Sequence, residues 1–132
     1  MTVINIFDLG NDNLQIFTDY RGVIADVFYN TEISHVTIIK SEPNVLRGNH
    51  YHAETTQAML ITKGELEYWY KPLGNEEIKM YLAKVGDLIT TPPNEIHTLW
   101  ITDKGNEFVV FTKGKRGGKD YESDTIRVKP IR

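Results

Sequence analysis

His50 and His52 stand two residues apart in the stretch NVLRGNHYH, just after Arg47, and are two of the four histidines in a chain of 132 residues. Side chains two apart on a strand leave from the same face, so both imidazoles address one space. A third imidazole, His97, closes the segment PPNEIH, and Gln57 lies between the two stretches. Three neutral imidazoles suit a divalent zinc, nickel, iron or copper ion and leave a coordination position open for water or substrate. Gln57 would add a weak neutral oxygen ligand or a hydrogen bond. An imidazole is equally a proton acceptor at neutral pH. One ring nitrogen of His50 cannot hold a metal and accept a substrate proton at once. The residues alone therefore leave three readings open: a metal site, a metal-free proton-transfer site, and a polar strand without chemistry.

The elements that would position these side chains read as strands. Short runs rich in Val, Ile, Thr, Tyr and Phe alternate with Gly, Pro, Asn and Asp clusters, the pattern of an all-β sandwich or barrel. The expected strands are Val3–Phe7, Gln15–Thr18, Val23–Tyr29, His35–Lys40, Arg47–His52, Ala58–Thr62, Glu65–Lys71, Ile78–Ala83, Asp87–Thr91, His97–Thr102, Glu107–Phe111 and Thr125–Val128. Leu66, Tyr68 and Tyr70 share one face of their strand. Ile78, Met80 and Leu82 share one face of the next, opposite Lys79 and Tyr81. The segment Lys71–Glu76 reads as the hairpin between them. So many short strands must hide their edges, which points to a closed barrel or a jelly roll. Residues 1–132 are expected to form a single domain.

Composition narrows the partners. The net charge is −3, with 40% hydrophobic and 25% charged residues, an ordinary globular balance. An acidic chain has no electrostatic reason to bind nucleic acid or an anionic membrane. The run Lys113-Gly114-Lys115-Arg116-Gly117-Gly118-Lys119 is short and glycine-rich and reads as a solvated loop. With no cysteine in the chain, disulfides and thiol catalysis are excluded, and any metal must be held by nitrogen and oxygen. No signal-peptide pattern or membrane-length apolar run is present, so a cytoplasmic location is expected.

The order His50-x-His52, Gln57, Gly64, then Gly86, Pro92, Asn94, His97 resembles the two-part signature of the cupins. Gln57 stands where many cupins carry Glu, and Asn94 where many carry Gly. The resemblance implies an RmlC-like jelly-roll β-barrel. More finely, TDYRGVIADVF from Thr18 to Phe28, followed by VLRGNHYH, resembles the dTDP-4-dehydrorhamnose 3,5-epimerase branch. That resemblance implies that His50 is the catalytic base and Arg47 a substrate contact. It implies that Arg21 meets the nucleotide phosphates, often across a dimer interface, and that His35 faces the substrate. It also implies a homodimer in which N-terminal strands such as Val3–Phe7 are exchanged.

The departures from that branch are informative. Met59 falls where the epimerases carry an enolate-stabilising lysine, which argues against rhamnose-type 3,5-epimerisation. The pattern H-x-H-x4-Q instead resembles the sugar 3,4-ketoisomerases, which use a histidine pair on dTDP-4-keto-6-deoxyhexoses. The words RGNHYH and PPNEIH resemble the C-terminal cupin domain of capsular-polysaccharide reductase/epimerases. There a metal accompanies C3 epimerisation of a UDP-linked 4-keto sugar.

The expected function is thus an isomerase or epimerase of a dTDP- or UDP-linked 4-keto-deoxysugar. His50 and His52 are candidate catalytic groups. With a metal on His50, His52, Gln57 and His97, the base would come from Tyr68, Tyr81, His35 or Glu65. Trp69, Tyr70 and Trp100 are candidates for stacking on a base or sugar ring, with Trp100 and Tyr81 counted among the substrate contacts. The competing functions are a metal-dependent cupin dioxygenase and a cupin that binds a sugar or metal without turnover.

Overall fold

The computed structural model describes residues 1–8, 10, 16–114 and 123–132. These form ten strands and no helix: β1 (Thr2–Asn5), β2 (Ile16–Asp19), β3 (Gly22–Ala25), β4 (His35–Ser41), β5 (Val45–His52), β6 (Thr56–Pro72), β7 (Lys79–Lys84), β8 (Asp87–Thr91), β9 (Glu95–Lys113) and β10 (Thr125–Arg127). The expected strand start at Gln15 and the Lys115–Lys119 part of the basic run lie outside the described residues.

Two pairs of expected strands prove to be single long ones. Ala58–Thr62 and Glu65–Lys71 are both parts of the 17-residue β6, and His97–Thr102 and Glu107–Phe111 are both parts of the 19-residue β9. The glycines that read as breaks are bends. Gly64 and Gly105 take φ of +69° and +63°, a left-handed conformation open to glycine. They also pack so closely that a Cβ on Gly64 would collide with the Gly105 carbonyl.

The bends let each long strand serve two layers. Residues 56–60 of β6 pair with β8 and with the far half of β9, and β1 and β4 extend this layer at its two ends. Residues 65–72 of β6 pair with β7 and with the near half of β9, and β5 and then β10 extend that layer. The path of paired strands runs open from β1 to β10 and does not close into a ring. The architecture is therefore a jelly-roll sandwich in which β10 covers the edge of β5, and full barrel closure is not how its edges are hidden. β1 pairs with β8.

Between the layers lies an apolar core, in which Ile61, Leu66, Tyr68, Ile89, Ile101 and Phe108 are almost wholly buried, and Ile6, Ala58 and Leu88 form a second, smaller cluster. Each such side chain contributes about 1.5–3 kcal/mol by leaving water. The expected inward face of Leu66, Tyr68 and Tyr70 packs here. On β7 it is Tyr81 and Ala83 that turn inward, while Met80 and Leu82 stay about half exposed, at 48% and 49%.

Candidate functional site

β5 reaches the site through a bulge. Arg47 stands opposite Leu99 and Gly48 opposite Thr98, but the next ladder pair is His50 with His97, leaving Asn49 extra. Gly48 and Asn49 both take positive φ, at 76° and 57°. On a regular strand Arg47 and His50, three residues apart, would face opposite ways. The extra residue puts them on the same side, a role β-bulges often serve next to functional sites. Asn49 is held in place by Thr98 Oγ1, which donates to its Oδ1 at 2.9 Å. The Val128 amide donates to the Asn49 carbonyl at 2.9 Å.

The result is a cavity of about 380 Å³ between the layers. Arg47, His50, His97, Gln57, Thr125 and Arg127 supply its polar wall. Ile39, Met59, Leu99, Phe108 and Val110 supply an apolar one. The rings of His50 and His97 meet edge-to-face at 4.6 Å, and those of His50 and His52 lie 4.8 Å apart. One ring nitrogen from each of the three lies within 4.8 Å of the others, so the trio can hold a metal ion.

Hydrogen bonds distinguish the three imidazoles. His97 Nδ1 lies 3.2 Å from the Glu95 carbonyl and His52 Nδ1 lies 3.3 Å from the Asp124 carbonyl. A carbonyl only accepts, so these contacts suit a proton on Nδ1, the tautomer in which Nε2 can ligate a metal. His50 differs. Its Nδ1 faces Arg127 Nη1 at 3.5 Å, a long contact in which the guanidinium can only donate. Gln57 adds a second sign of unmet demand: its side chain is 5% exposed, lines the cavity, and its amide nitrogen has no partner. Amide nitrogen and oxygen can be exchanged by a flip. The Gln57 amide can thus offer its oxygen to a metal or its NH2 to a sugar oxygen, and the donor set fits either occupant.

The other expected site residues are dispersed. Arg47 lines the cavity and is braced by donating from Nε to Ser41 Oγ at 2.7 Å and from Nη2 to the Lys40 carbonyl at 3.1 Å. Tyr68 is fully buried behind His97, stacked parallel to it at 5.8 Å. Its hydroxyl meets Thr91 Oγ1 at 2.5 Å and donates to Glu95 at 3.1 Å, and it does not line the cavity. Burial, then the Glu95 charge, push this phenol well above its ordinary range, so it keeps its proton at neutral pH. Burial and the hydrogen bond to Asp87 push Tyr81 up to about 12. Trp100 follows Leu99 on the opposite face of β9, where the Arg132 guanidinium covers its ring at 4.2 Å. Arg21 sits in the β2–β3 hairpin, clamped on Asp19 at 2.6 and 3.0 Å, and does not line the cavity. His35 opens β4, partly buried and away from the lining. Glu65 pairs with Lys104 at 3.2 Å.

Two residues that sequence reasoning did not single out lie in and just before the C-terminal strand. Asp124 and Arg127 reach the histidines because β10 pairs with β5, Thr125 opposite His52 and Arg127 opposite His50. The only signal was the expected strand Thr125–Val128, which says nothing of its neighbour.

The fold is the jelly roll shared by RmlC-like structures. Residues 17–118 match the family model described as polysaccharide biosynthesis C-terminal domain, and the chain belongs to that family. No curated protein matches the sequence. Among solved structures, the chain is similar to QdtA, a sugar 3,4-ketoisomerase from Thermoanaerobacterium thermosaccharolyticum in complex with TDP. The identity is 17% and the TM-score 0.73, covering 96% of this chain and 86% of QdtA. It is similar to the capsular polysaccharide assembling protein CapF from Staphylococcus aureus at 18% identity and TM-score 0.65, covering 89% of this chain and 33% of CapF. It is also similar to the dTDP-6-deoxy-D-glucose-3,5-epimerase RmlC from Legionella pneumophila, at 15% identity and TM-score 0.69, covering 98% and 79%. Among the described residues no helix is long and apolar enough to cross a membrane.

Proposed function

We propose that the chain is an isomerase or epimerase that moves a proton next to the ketone of a nucleotide-linked 4-keto-deoxysugar, in polysaccharide or deoxysugar biosynthesis. The observation that carries this reading is the bulge that turns Arg47 and His50 onto one side of a cavity also lined by the apolar Ile39, Met59, Leu99, Phe108 and Val110. Removing such a proton needs a base over the carbon and a positive environment at the oxygen. His50 takes the proton in this reading. Arg47 meets the diphosphate or a sugar oxygen, for which a guanidinium fork is suited. Met59 and Phe108 keep water from the reacting carbon.

The TDP in QdtA and the dTDP-4-keto-L-rhamnose in RmlC support a dTDP-linked substrate, and a UDP-linked one is the other nucleotide to try. Where a divalent zinc, nickel or iron ion is bound, His52, His97, Gln57 and His50 would hold it and it would polarise the ketone, and the nitrogen of His50 that holds it would then not be the base. We also read the chain as a homodimer. Phe17 and Ile24 on the hairpin and Val36 and Ile38 on β4 are more than half exposed, an apolar surface that a second copy would cover. This reading carries a cytoplasmic location and a single domain.

The test is incubation with TDP-4-keto-6-deoxyglucose, a ligand with which QdtA has been solved, and with its UDP counterpart, in deuterated water. The expected outcome is deuterium at a carbon next to the ketone, lost in His50→Gln. Oxygen consumption with bound iron or copper would favour the dioxygenase. Tight binding without exchange would leave a binding protein.

A further inference from the structure

Arg127 lies beyond residues 17–118, the part matched by the family model. It nevertheless lines the cavity, because β10 adds to β5 in a register that sets Arg127 opposite His50. Several contacts fix that register. The Asp124 carboxylate accepts from the amides of Ala53, Glu54 and Thr55 at 2.8–3.2 Å. The amides of Val128 and Ile131 donate to the Asn49 carbonyl and to Thr98 Oγ1 at 2.9 and 3.1 Å. The C-terminal segment is thus pinned on both sides of Arg127, and its guanidinium is delivered to the imidazole at 3.5 Å.

Among the described residues the cavity lining holds two permanent cations, and they are placed differently. Arg47 is braced on Ser41 and the Lys40 carbonyl. Arg127 is the one beside His50. We propose that Arg127 faces the substrate ketone and stabilises the negative charge that gathers on its oxygen when the neighbouring carbon is deprotonated. This inference rests on the isomerase reading of the site. In the step, the C–H bond next to the carbonyl breaks and its proton passes to His50. The electron pair forms a C=C bond, and the carbonyl π pair moves to oxygen beside the guanidinium. Reprotonation at carbon reverses the flow and restores a ketone. Met59, the neutral side chain on the facing wall, offers no charge for this purpose, so a cation on the His50 side completes what the reaction requires.

The test compares wild type, Arg127→Ala, Arg127→Lys and His50→Gln, all full-length and checked by thermal melting. The readouts are deuterium exchange into TDP-4-keto-6-deoxyglucose and the dissociation constant for TDP. Arg127→Ala is expected to lower kcat by about 100- to 1000-fold, the usual effect of removing one donor at a developing oxyanion. TDP affinity should stay within about threefold and Arg127→Lys should recover at least about tenfold of the rate, since charge is what the step needs. Arg127→Ala with kcat near wild type would overturn the proposal, as would weakened TDP binding at unchanged kcat, which would make Arg127 a phosphate contact. A folded wild type that binds TDP and exchanges no deuterium would overturn the isomerase reading itself, and this inference with it.

Discussion

Asp124 holds His52 from behind: its carbonyl oxygen lies 3.3 Å from His52 Nδ1, while its carboxylate accepts hydrogen bonds from the backbone of residues 53–55. The residue just before the C-terminal strand thus contacts both an imidazole and the turn that follows it.

The Asp124 carboxylate belongs to a residue only 8% exposed, and burial alone would raise its pKa. Hydrogen bonds from Thr55 and from the amides of Glu54, Thr55 and Ala53 outweigh burial and hold it below the ordinary range of an aspartate. A carboxyl with a depressed folded-state pKa adds stability that is present above its unfolded pKa and lost as pH falls through the folded value. Asp124→Ala should therefore destabilise the fold by about 2–3 kcal/mol at neutral pH, since buried amides lose a charged acceptor. Thermal melts from pH 7 to pH 3 check this. Wild type and variant should converge toward the acid end, and a constant gap at every pH would show that the charge contributes nothing.

Tyr68 provides a prediction in the opposite direction. It sits beneath His97 with its hydroxyl turned to Thr91 and Glu95, out of the cavity lining. Tyr68→Phe should cost about 1–3 kcal/mol by depriving a buried carboxylate of a donor, and leave kcat within about threefold because no reacting atom is touched. A collapse of kcat in a variant that melts like wild type would restore Tyr68 to the chemistry.

Gln57 sets the charge of the histidine site. A carboxylate beside a dication gains several kcal/mol even at an effective dielectric constant of about 20, so Gln57→Glu should tighten zinc or nickel by about tenfold or more. His97→Ala and His52→Ala should each weaken it at least as much. Equilibrium dialysis of the purified chain against each ion decides the matter. Unchanged affinity in all three variants would mean that the cavity is not where metal goes.

Much of this site is legible in the sequence alone, because strand alternation puts His50 and His52 on one face and the spacing to His97 follows a known order. What alternation does not give is Arg47. Its odd separation from His50 predicts opposite faces, and only the bulge at Gly48 and Asn49 reverses that. The dipeptide Gly-Asn is the available signal, since both residues tolerate positive φ. Arg127 and Asp124 are beyond reach for a different reason: β10 pairs with a strand more than seventy residues earlier, as Ile126 with Tyr51, and local sequence does not encode such a partner. Gly64 and Gly105 mislead because a glycine that bends a strand and one that ends it look alike in sequence.

The bulge makes the last prediction. Gly48 has φ of 76°, and a Cβ there would stand 3.0 Å from the His97 carbonyl oxygen and 3.3 Å from its imidazole Cδ2. Gly48→Ala therefore brings backbone strain of about 1–3 kcal/mol together with a push against the strand that carries His97. The outer hydrogen bonds to Asn49 from Thr98 and Val128 remain, so the chain should fold. What should give is the alignment of Arg47, His50 and His97, and displacements near 1 Å at a reacting centre lower rates by about 100-fold. The expected result is a melting temperature lower by roughly 3–12 °C with kcat/KM down by about one to two orders of magnitude. Asn49→Ala tests the same device at the extra residue itself, with a smaller loss expected because it adds no Cβ beside His97. Full activity in Gly48→Ala would mean that the bulge is tolerant, and that Arg47 and His50 need not share a wall for the reaction to proceed.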